Sequence, residues 1–490
     1  MAIIGVKKPS PGAEIQHFWI FSGFLLCAFF FGGGSRSDVA SLVILRPAAF
    51  IAIAYALTQG AWGRTADIRL AIWLLLSLTA VMVLQMVPLP PEIWKALPGR
   101  SPIADIGVEI GADQIWRPLT LSPARTLNSL MSMSVPLAAI LLFSLLTPVR
   151  RGQVLILLVG VGVLSAFLGI LQGIIGAESS LYFYEITNKG SAVGLFANRN
   201  HHAFFLTSLV PIIILGLIAE RSQGGAKSRG VLYFSSLILI LLILPMVGSR
   251  SGLIIGLLAV MSSVPIYVAL ESGGRALGEP KGFPNRRKLA VVAAAILLAP
   301  MFLLVPLALG RSSAINRLLD DSEGPEIRIQ MLPYIFDMAS LHLPFGIGFG
   351  AFEKAFYSFE PDSSLSEPYM NQAHNDYLQL LAEAGFAGVA ILLAFGLIGG
   401  RAFLGAWQGR KRYPHSYALR LSALVSMVLI GIASLTDYPL RVPSLMAFFG
   451  LLASALLAPR GWIDLAAFAK NRNRRRRPSQ TTEPRTVFEI

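Results

Sequence analysis

Charged residues and cysteines are scarce in this sequence. Only 14% of its 490 residues are Asp, Glu, Lys or Arg, whereas 54% are hydrophobic. Soluble domains usually have roughly a quarter of their residues charged, so the composition excludes an ordinary soluble protein. Cys27 is the single cysteine and lies in an apolar stretch. One such thiol excludes a disulfide framework, a zinc cluster built on cysteines and a thiol relay.

Long apolar stretches, by contrast, are abundant. A helix crosses a bilayer with roughly 17 to 25 apolar residues, and about twelve stretches of this kind are present. They lie near residues 16–33, 38–58, 68–88, 127–146, 153–175, 202–219, 231–247, 252–270, 289–309, 377–398, 417–436 and 443–459. The sequence therefore predicts an all-α fold, a polytopic membrane bundle of about 12 transmembrane helices.

The positions of Lys and Arg predict the orientation of the bundle, because short cytoplasmic loops collect these residues. With the N-terminus in the cytoplasm, every basic cluster falls on one side and the C-terminus is also cytoplasmic. The clusters are Lys7–Lys8, Arg150–Arg151, Arg221 to Arg229, Arg275 to Lys288, Arg401 to Arg412 and Arg472 to Arg477. The net charge of +14 is then explained by topology and by attraction to anionic membrane lipids, so no nucleic acid is expected as a partner.

Three loops of appreciable length face outward in this topology, at residues 89–126, 176–201 and 310–376. Chemistry is expected there. The longest loop contains an apolar pattern of helical spacing from Glu326 to Phe336, which predicts an amphipathic helix on the outer membrane face. Asp320 and Asp321 lack further ligands at a suitable spacing, so neither a metal nor another cofactor is expected.

Two arginines are candidates for binding an anion. Arg250 lies between two apolar runs in Ser249-Arg250-Ser251-Gly252, where Ser251 is expected to cap a helix whose free N–H groups point at the same place. Its other interpretation is an arginine that anchors the turn at the membrane surface. Arg328 belongs to the amphipathic helix, where it meets an acidic ligand or simply pairs with a neighbouring carboxylate.

Polar residues also cluster at the outer end of the sixth span, in Asn198-Arg199-Asn200-His201-His202. Two adjacent histidines do not face the same way on a helix, so a metal site is not indicated. Asn198, Arg199, Asn200 and His201 are candidates for hydrogen bonding to a sugar or phosphate. A structural loop explains them equally well.

His374 is the strongest candidate for catalysis, because an imidazole titrates near neutrality and this one precedes an apolar span at its outer end. Asn375 follows as a possible substrate ligand or helix cap. Gly385, eleven residues further on, falls on nearly the same helix face as His374, and with Gly388 three residues beyond it predicts close approach of a neighbouring helix below the histidine.

Taken in order, these pieces resemble the O-antigen ligase and O-antigen polymerase superfamily of integral membrane glycosyltransferases. The matching pieces are Gly194–Ala203, Ser249–Gly252, Arg328 with Leu332, Pro344–Gly348, and His374–Asn375 with Gly385. The resemblance covers roughly residues 180 to 400, beyond which only hydropathy agrees.

The resemblance implies a helical fold of the GT-C type and a glycan donor carried on undecaprenyl pyrophosphate. Residues matching Arg250 and Arg328 are thought to bind the pyrophosphate, and the residue matching His374 to assist attack by the acceptor hydroxyl, with inversion and without a metal. Gly388 leads straight into Val389–Leu392 instead of small polar residues, which leaves the acceptor open. It is lipid A core, a growing polysaccharide or a protein.

These expectations divide the chain into five parts: a cytoplasmic N-terminus (1–15), N-terminal transmembrane helices (16–175), an O-antigen ligase-like catalytic region (176–400), C-terminal transmembrane helices (401–460) and a basic cytoplasmic tail (461–490). The expected location is the bacterial inner membrane, with a periplasmic active site. Two alternatives remain, a transporter (flippase) for the lipid-linked glycan and a structural membrane scaffold.

Overall fold

The computed structural model describes residues 10–222, 227–273, 325–362, 370–459, 461 and 463, and most of them are helical. The helices are α1 (Pro11–Phe31), α2 (Leu42–Thr58), α3 (Ala61–Arg64), α4 (Arg69–Gln85), α5 (Pro91–Lys95), α6 (Ser101–Glu109), α7 (Pro123–Ser132), α8 (Ser134–Leu145), α9 (Pro148–Ile175), α10 (Arg199–Ser222), α11 (Lys227–Val247), α12 (Arg250–Gly273), α13 (Pro325–Leu341), α14 (Phe352–Phe356), α15 (Asp376–Gln408), α16 (Pro414–Ala433) and α17 (Pro443–Leu457). Short 3-10 helices lie at Ala66–Ile68 and Pro439–Arg441, and strand β1 (Pro88–Leu89) pairs antiparallel with β2 (Arg117–Pro118).

Seven helices in the described ranges are long and apolar enough to cross a membrane, which confirms a multi-pass helical membrane protein. They are Pro11–Phe31, Pro123–Leu145, Pro148–Ile175, Arg199–Glu220, Arg229–Val247, Asp376–Gln408 and Pro414–Ala433. Four shorter apolar helices, Leu42–Thr58, Arg69–Gln85, Arg250–Ile266 and Pro443–Leu457, coincide with four more of the expected spans. The span expected at 289–309 lies outside the described residues, as do Asp320, Asp321 and nearly all of the basic tail, so the count of twelve stays a prediction.

Helix α10 is the centre of the bundle. Its apolar window is 89% buried, compared with 33% for α11 and 28% for α15, because α11, α12 and α16 pack around it. A helix that is hydrophobic all round belongs in such an interior position. Aromatic contacts extend the core, since Phe205 of α10 lies 4.7 Å from the ring of Phe29 in α1 and 5.5 Å from that of Phe448 in α17.

The connecting segments at one end of the bundle pack against each other, and we call this the loop-rich end (residues 32–41, 86–122, 176–198, 342–362, 370–375 and 434–442). Gly33 donates its N–H to the Tyr184 hydroxyl and accepts a hydrogen bond from the Ala197 N–H. Leu121 donates to the Ile347 carbonyl in the same region. Asn198 to His201, His374 and Asn375 lie in these segments or at the helix ends that border them, whereas Arg250 and Arg328 lie on α12 and α13.

Helix α15 is interrupted at Gly385, whose φ of 55° and ψ of −144° are outside the helical region. A β-carbon at this position would lie 2.0 Å from the Pro344 carbonyl oxygen, so only glycine lets the backbone pass. Residues 344–348 are inserted at the break, where Phe386 donates to the Pro344 carbonyl and Gly348 to the Glu383 carbonyl. The expected close approach thus occurs, but the partner is a loop, and the prediction of a neighbouring helix was wrong.

The amphipathic helix expected near residue 326 is present as α13. Its inner face packs on α15 through Met331, Ile335 and Met338, while Ile329 and Phe336 remain exposed. This spacing of buried residues is the one expected for a helix with a single apolar stripe. Its contact with the outer membrane face stays a prediction.

Candidate functional site

His374 lies in the loop-rich end immediately before α15. Its φ of 49° is in the left-handed region, which a non-glycine residue occupies only when surrounding contacts fix it. The contacts on its C-terminal side come from Asn375, whose side-chain oxygen accepts the N–H groups of Tyr377 and Leu378 at 3.1 and 3.0 Å. Asn375 also donates to the Leu435 carbonyl. The Asn375 side chain therefore caps the start of α15 and bonds the segment that follows α16.

The partner of His374 is Asp437, a fully buried carboxylate between α16 and α17. One carboxylate oxygen lies 3.6 Å from Nδ1 of His374 and 3.4 Å from Nε2 of His201. The other oxygen accepts a hydrogen bond from the Asn200 amide at 2.6 Å. Two imidazoles and one amide, supplied by two separate segments, therefore converge on a single carboxylate from a third.

Burial and neighbouring charges shift the pKa values of Asp437 and His374 so that the carboxylate is ionised and the imidazole is neutral. Burial raises the pKa of the Asp437 carboxyl, but the two adjacent imidazoles hold it well below its usual range. Burial lowers the pKa of His374; the Asp437 carboxylate raises it, and the positive charge of Arg328 lowers it further. The net direction is downward, so His374 is a neutral proton acceptor at neutral pH next to an ionised carboxylate.

Tyr438 closes the cluster on one side. Its ring meets those of His201 and His374 edge-on, at centroid distances of 5.0 and 4.9 Å. Its hydroxyl interacts with the side chains of Asn371 and Ser35, and burial together with the Asp437 charge raises its pKa to about 12. The phenol therefore keeps its proton and acts as a packed wall against both imidazoles.

The two predicted arginines lie on different elements. Arg328 on α13 is close enough for its charge to lower the pKa of both His374 and Tyr438. Arg250 is the first residue of α12, where the Ser249 hydroxyl accepts the Gly252 N–H at 3.0 Å. Ser249, not Ser251, is thus the capping residue.

The start of α12 lies beside the start of α10. A β-carbon on Gly252 would approach that of Ala203 to 2.4 Å, so the two helices touch there. Ala203 follows His201 and His202 on α10, which places Arg250 at the same end of the bundle as the carboxylate cluster. The arrangement of Arg250 with the other residues as a pyrophosphate site stays a prediction.

The other polar residues of the 198–202 segment form hydrogen bonds that involve backbone groups of the loop. The Asn198 side chain accepts the Asn200 N–H at 2.8 Å, and the Arg199 N–H donates to the Asn188 side chain at 3.0 Å. His202 is buried and bonds the Ala192 carbonyl through Nδ1 at 2.7 Å. The segment therefore presents Asn200 and His201 to the carboxylate, while Asn198 and His202 bond the backbone of the loop.

Asp437 was missed by sequence reasoning. A signal was available, because Asp437 is an ionisable residue in the short turn between two apolar spans, and such a residue needs a partner. The same signal had identified Arg250. Its partner could not be read from the sequence, since His201 and His374 are far away along the chain.

A cavity of about 790 Å³ lies beside this cluster, between α4, α7, α8, α15, α16 and α17. Its outer rim is polar and includes Asn371, Asp376 and Arg441. Arg441 bridges Asp376 at 3.3 Å and the buried Glu383 at 2.9 Å. Across the part of the chain that the structure describes, we find no group of three His, Cys, Asp or Glu residues arranged to hold a metal ion.

Comparison with known proteins gives one family match, over part of the chain. No curated protein matches the chain. Residues 235–393, which include Arg250, Arg328 and His374 but neither His201 nor Asp437, match the family model described as O-antigen ligase, and this match confirms the resemblance to the O-antigen ligase and O-antigen polymerase superfamily.

Proposed function

We propose that this protein transfers a glycan from undecaprenyl pyrophosphate to an acceptor hydroxyl at the periplasmic face, as an O-antigen ligase or a surface polysaccharide polymerase. The observation that carries the proposal is the buried contact between His374 and Asp437, with the charge of Arg328 beside it. A neutral imidazole held by an ionised carboxylate is suited to act as a general base.

The reaction follows from these groups. The acceptor oxygen attacks the anomeric carbon of the donor sugar, and its proton passes to Nε2 of His374, because Nδ1 faces Asp437. The bond from the anomeric carbon to the pyrophosphate oxygen breaks, and the electron pair leaves with the pyrophosphate. The Asp437 carboxylate stabilises the imidazolium that forms. A single displacement of this kind inverts the anomeric configuration.

The leaving group determines the role of the arginines. Negative charge grows on the pyrophosphate as the bond breaks, and fixed cations in a poorly solvated site stabilise it strongly. We assign this role to Arg328 and Arg250, whose planar guanidinium groups match phosphate oxygens in pairs. No other cofactor is needed for this chemistry, because the energy comes from the lipid-linked bond.

The transporter alternative has one feature in its favour, which is the break in α15 at Gly385. Transporters, however, concentrate ionisable residues near the membrane midplane. Here His374 and Asp437 lie beyond the ends of the spanning helices. We therefore favour transfer chemistry over transport, and over a scaffold in which these residues would be replaceable.

The first experiment is the surface glycan profile of a deletion strain complemented with Arg250→Ala, Arg328→Ala or His374→Ala. Each variant is expected to reach the membrane at wild-type levels, to lose long glycan and to accumulate lipid-linked donor in the periplasm. Lys354→Ala is the matched control, because this exposed lysine lies at the same end and outside the cluster.

The residual glycan product and the location of the donor distinguish a ligase, a polymerase and a transporter. Free core left as the residual product indicates a ligase, and a single unpolymerised repeat indicates a polymerase. Donor trapped on the cytoplasmic face would replace the proposal by transport. Normal glycan in all three variants would refute a catalytic role for these residues.

A further inference from the structure

His201 and His374 share one oxygen of Asp437, but they differ in exposure. Nδ1 of His374 lies 3.6 Å from that oxygen and Nε2 of His201 lies 3.4 Å from it. The His374 side chain is 14% exposed, whereas the His201 side chain is 1% exposed. An acceptor can therefore meet the imidazole of His374 but not that of His201. Any role of His201 in the reaction must then act through the carboxylate.

The position of His201 is fixed by its helix. His201 lies in the first turn of α10, whose apolar window is 89% buried. The next residue, His202, bonds the Ala192 carbonyl at 2.7 Å, and the His201 ring meets that of Tyr438 edge-on at 5.0 Å. Side chains on packed helices are held more precisely than those in loops. His201 is therefore a fixed point against which Asp437, in the turn between α16 and α17, is positioned.

Packing alone does not account for an imidazole at this position. Nδ1 of His201 is buried and meets no hydrogen-bond partner among the described residues. A buried polar nitrogen without a partner costs free energy that an apolar side chain of similar size avoids. The other nitrogen, Nε2, faces the Asp437 oxygen. The polar character of residue 201 is thus directed at the carboxylate.

Four groups share the Asp437 carboxylate. The oxygen that faces both imidazoles also accepts the Tyr438 N–H at 2.9 Å, and the other oxygen accepts the Asn200 amide at 2.6 Å. Burial alone would raise the pKa of the Asp437 carboxyl, and His201 opposes this at least as strongly as His374 does. Part of the carboxylate charge is therefore compensated from the His201 side, and less of it acts on His374.

The pKa of His374 depends on this division. Burial lowers the pKa, the Asp437 carboxylate raises it, and Arg328 and His201 lower it further. His201 therefore weakens the attraction between Asp437 and a proton on His374. A weaker attraction leaves a larger fraction of the imidazole neutral, which is the form that accepts a proton.

The other titratable neighbours of His374 are accounted for by their own contacts. Tyr438 keeps its proton, because burial and the Asp437 charge raise its pKa to about 12. Asp376, two residues after His374, is held by Arg441 at 3.3 Å. Neither neighbour competes with the two histidines for the Asp437 carboxylate.

We propose that His201 is a positioning residue of the transfer reaction. From the start of α10 it holds the shared Asp437 oxygen towards His374 and takes up part of its charge, so that His374 is unprotonated when the acceptor hydroxyl arrives. This inference rests on the proposed function and replaces direct hydrogen bonding of His201 to a sugar or phosphate. In the displacement described above, the hydroxyl proton passes to Nε2 of His374, and His201 neither gains nor loses a proton.

Titration of His374 tests the proposal on the purified full-length protein. Diethyl pyrocarbonate acylates a neutral imidazole, and its rate of reaction at His374 is followed by mass spectrometry between about pH 5 and 8. The midpoint of the rate against pH gives the pH at which His374 loses its proton. The wild type is compared with His201→Leu and His201→Gln.

His201→Leu is expected to raise the midpoint by about 0.5 to 1 pH unit. The carboxylate keeps the Asn200 amide and the Tyr438 N–H in this variant, but loses the imidazole, so more of its charge acts on His374. His201→Gln retains an N–H donor and should shift the midpoint less than half as far. Asp437→Asn should move the midpoint in the opposite direction.

His342→Leu is the matched control, because His342 is also buried at the loop-rich end but bonds the Met338 carbonyl. It should leave the midpoint unchanged even where it lowers the Tm. A midpoint in His201→Leu that equals or lies below that of the wild type, or that equals that of His201→Gln, would overturn the proposal. If His201→Leu does not fold, His201→Phe keeps a ring without nitrogens and is judged by the same criteria.

Transfer by the purified enzyme supplies a second arm. In His201→Leu, kcat at neutral pH is expected to fall about tenfold with an unchanged KM for the acceptor, because His201 acts on the base and does not touch the substrate. A raised KM with an unchanged kcat would show contact with the acceptor and refute the positioning role. The titration does not measure transfer, so failure of the proposed function, seen as normal glycan in His374→Ala, is distinguishable from failure of this inference.

Discussion

The residues that define the candidate site are few, and each is explained by its environment. His374 is held by a cap on one side and by a buried carboxylate on the other. Asp437 is the member on which the others depend, because it contacts His374, His201 and Asn200 at once. A buried charge of this kind persists only where several partners compensate it.

Asp437→Asn tests this dependence while preserving side-chain size. Removing the carboxylate leaves the imidazolium of His374 unsupported, so the transfer rate is expected to fall roughly 10²-fold or more. Asp437 raises the pKa of His374, so its loss lowers that pKa further. The loss of activity on acidification should therefore move to lower pH in the variant, measured as the pH dependence of transfer by purified enzyme.

Asp337→Asn is the matched control, because Asp337 is exposed on α13. It should leave both the rate and the pH dependence unchanged. An Asp437→Asn enzyme with the wild-type rate and profile would remove the carboxylate from the proposed mechanism.

At the scale of elements, the break in α15 organises the loop-rich end. Gln85 of α4 donates to the Glu383 carbonyl and accepts the Phe349 N–H, so three segments meet at the break. Gly348 has no room for a side chain there, since a β-carbon would lie 2.0 Å from the Thr120 hydroxyl. The helix piece that follows His374 is positioned by these contacts.

Gly385→Ala is expected to be strongly destabilising. The φ and ψ at this position are unfavourable for alanine, and the added carbon overlaps the Pro344 carbonyl. We expect a loss of roughly 2 to 4 kcal/mol, seen as a lower Tm of the purified protein. Gly405→Ala in the same helix meets no atom within 4 Å and should be neutral or stabilising by up to about 1 kcal/mol. Equal Tm values for the two variants would contradict the described break.

Arg441 ties the segment between α16 and α17 to α15. Replacing it by alanine leaves Glu383, which is fully buried, without its cation. Breaking such a pair typically costs about 3 to 5 kcal/mol. The double variant Arg441→Ala with Glu383→Gln should recover only part of the lost Tm, because the charge of the buried Glu383 is then removed while Asp376 stays without its cation. A double variant no more stable than Arg441→Ala would argue against the ion pair as the cause.

For the whole molecule, the candidate site lies at one end of a helical bundle whose basic residues were predicted to collect at the other. Two described connections lie at that other end of the bundle. One joins α10 to α11 near Ser222 and Lys227, and the other joins α15 to α16 near Gln408 and Pro414. These connections border the predicted cytoplasmic clusters. The side of the membrane on which His374 lies stays a prediction.

Cysteine accessibility tests that orientation. In a Cys27→Ser background, Ser340→Cys and Gln408→Cys introduce thiols at exposed positions on α13 and at the end of α15. A membrane-impermeant maleimide should label Ser340→Cys in intact spheroplasts and Gln408→Cys only after lysis. The reverse pattern would invert the topology and place the candidate site in the cytoplasm.

The sequence by itself determined the membrane class, most helix positions and the locations of His374, Arg250 and Arg328. These features are encoded locally, since apolar length and the position of an ionisable residue at a span end can be read from one stretch of sequence. Only the tertiary structure decided that Asp437 joins His201 to His374, that a loop fills the break at Gly385 and that a cavity lies between α4, α7, α8, α15, α16 and α17. Those features depend on which distant helix ends meet, and hydropathy constrains the length and burial of each helix but not the choice of its neighbours.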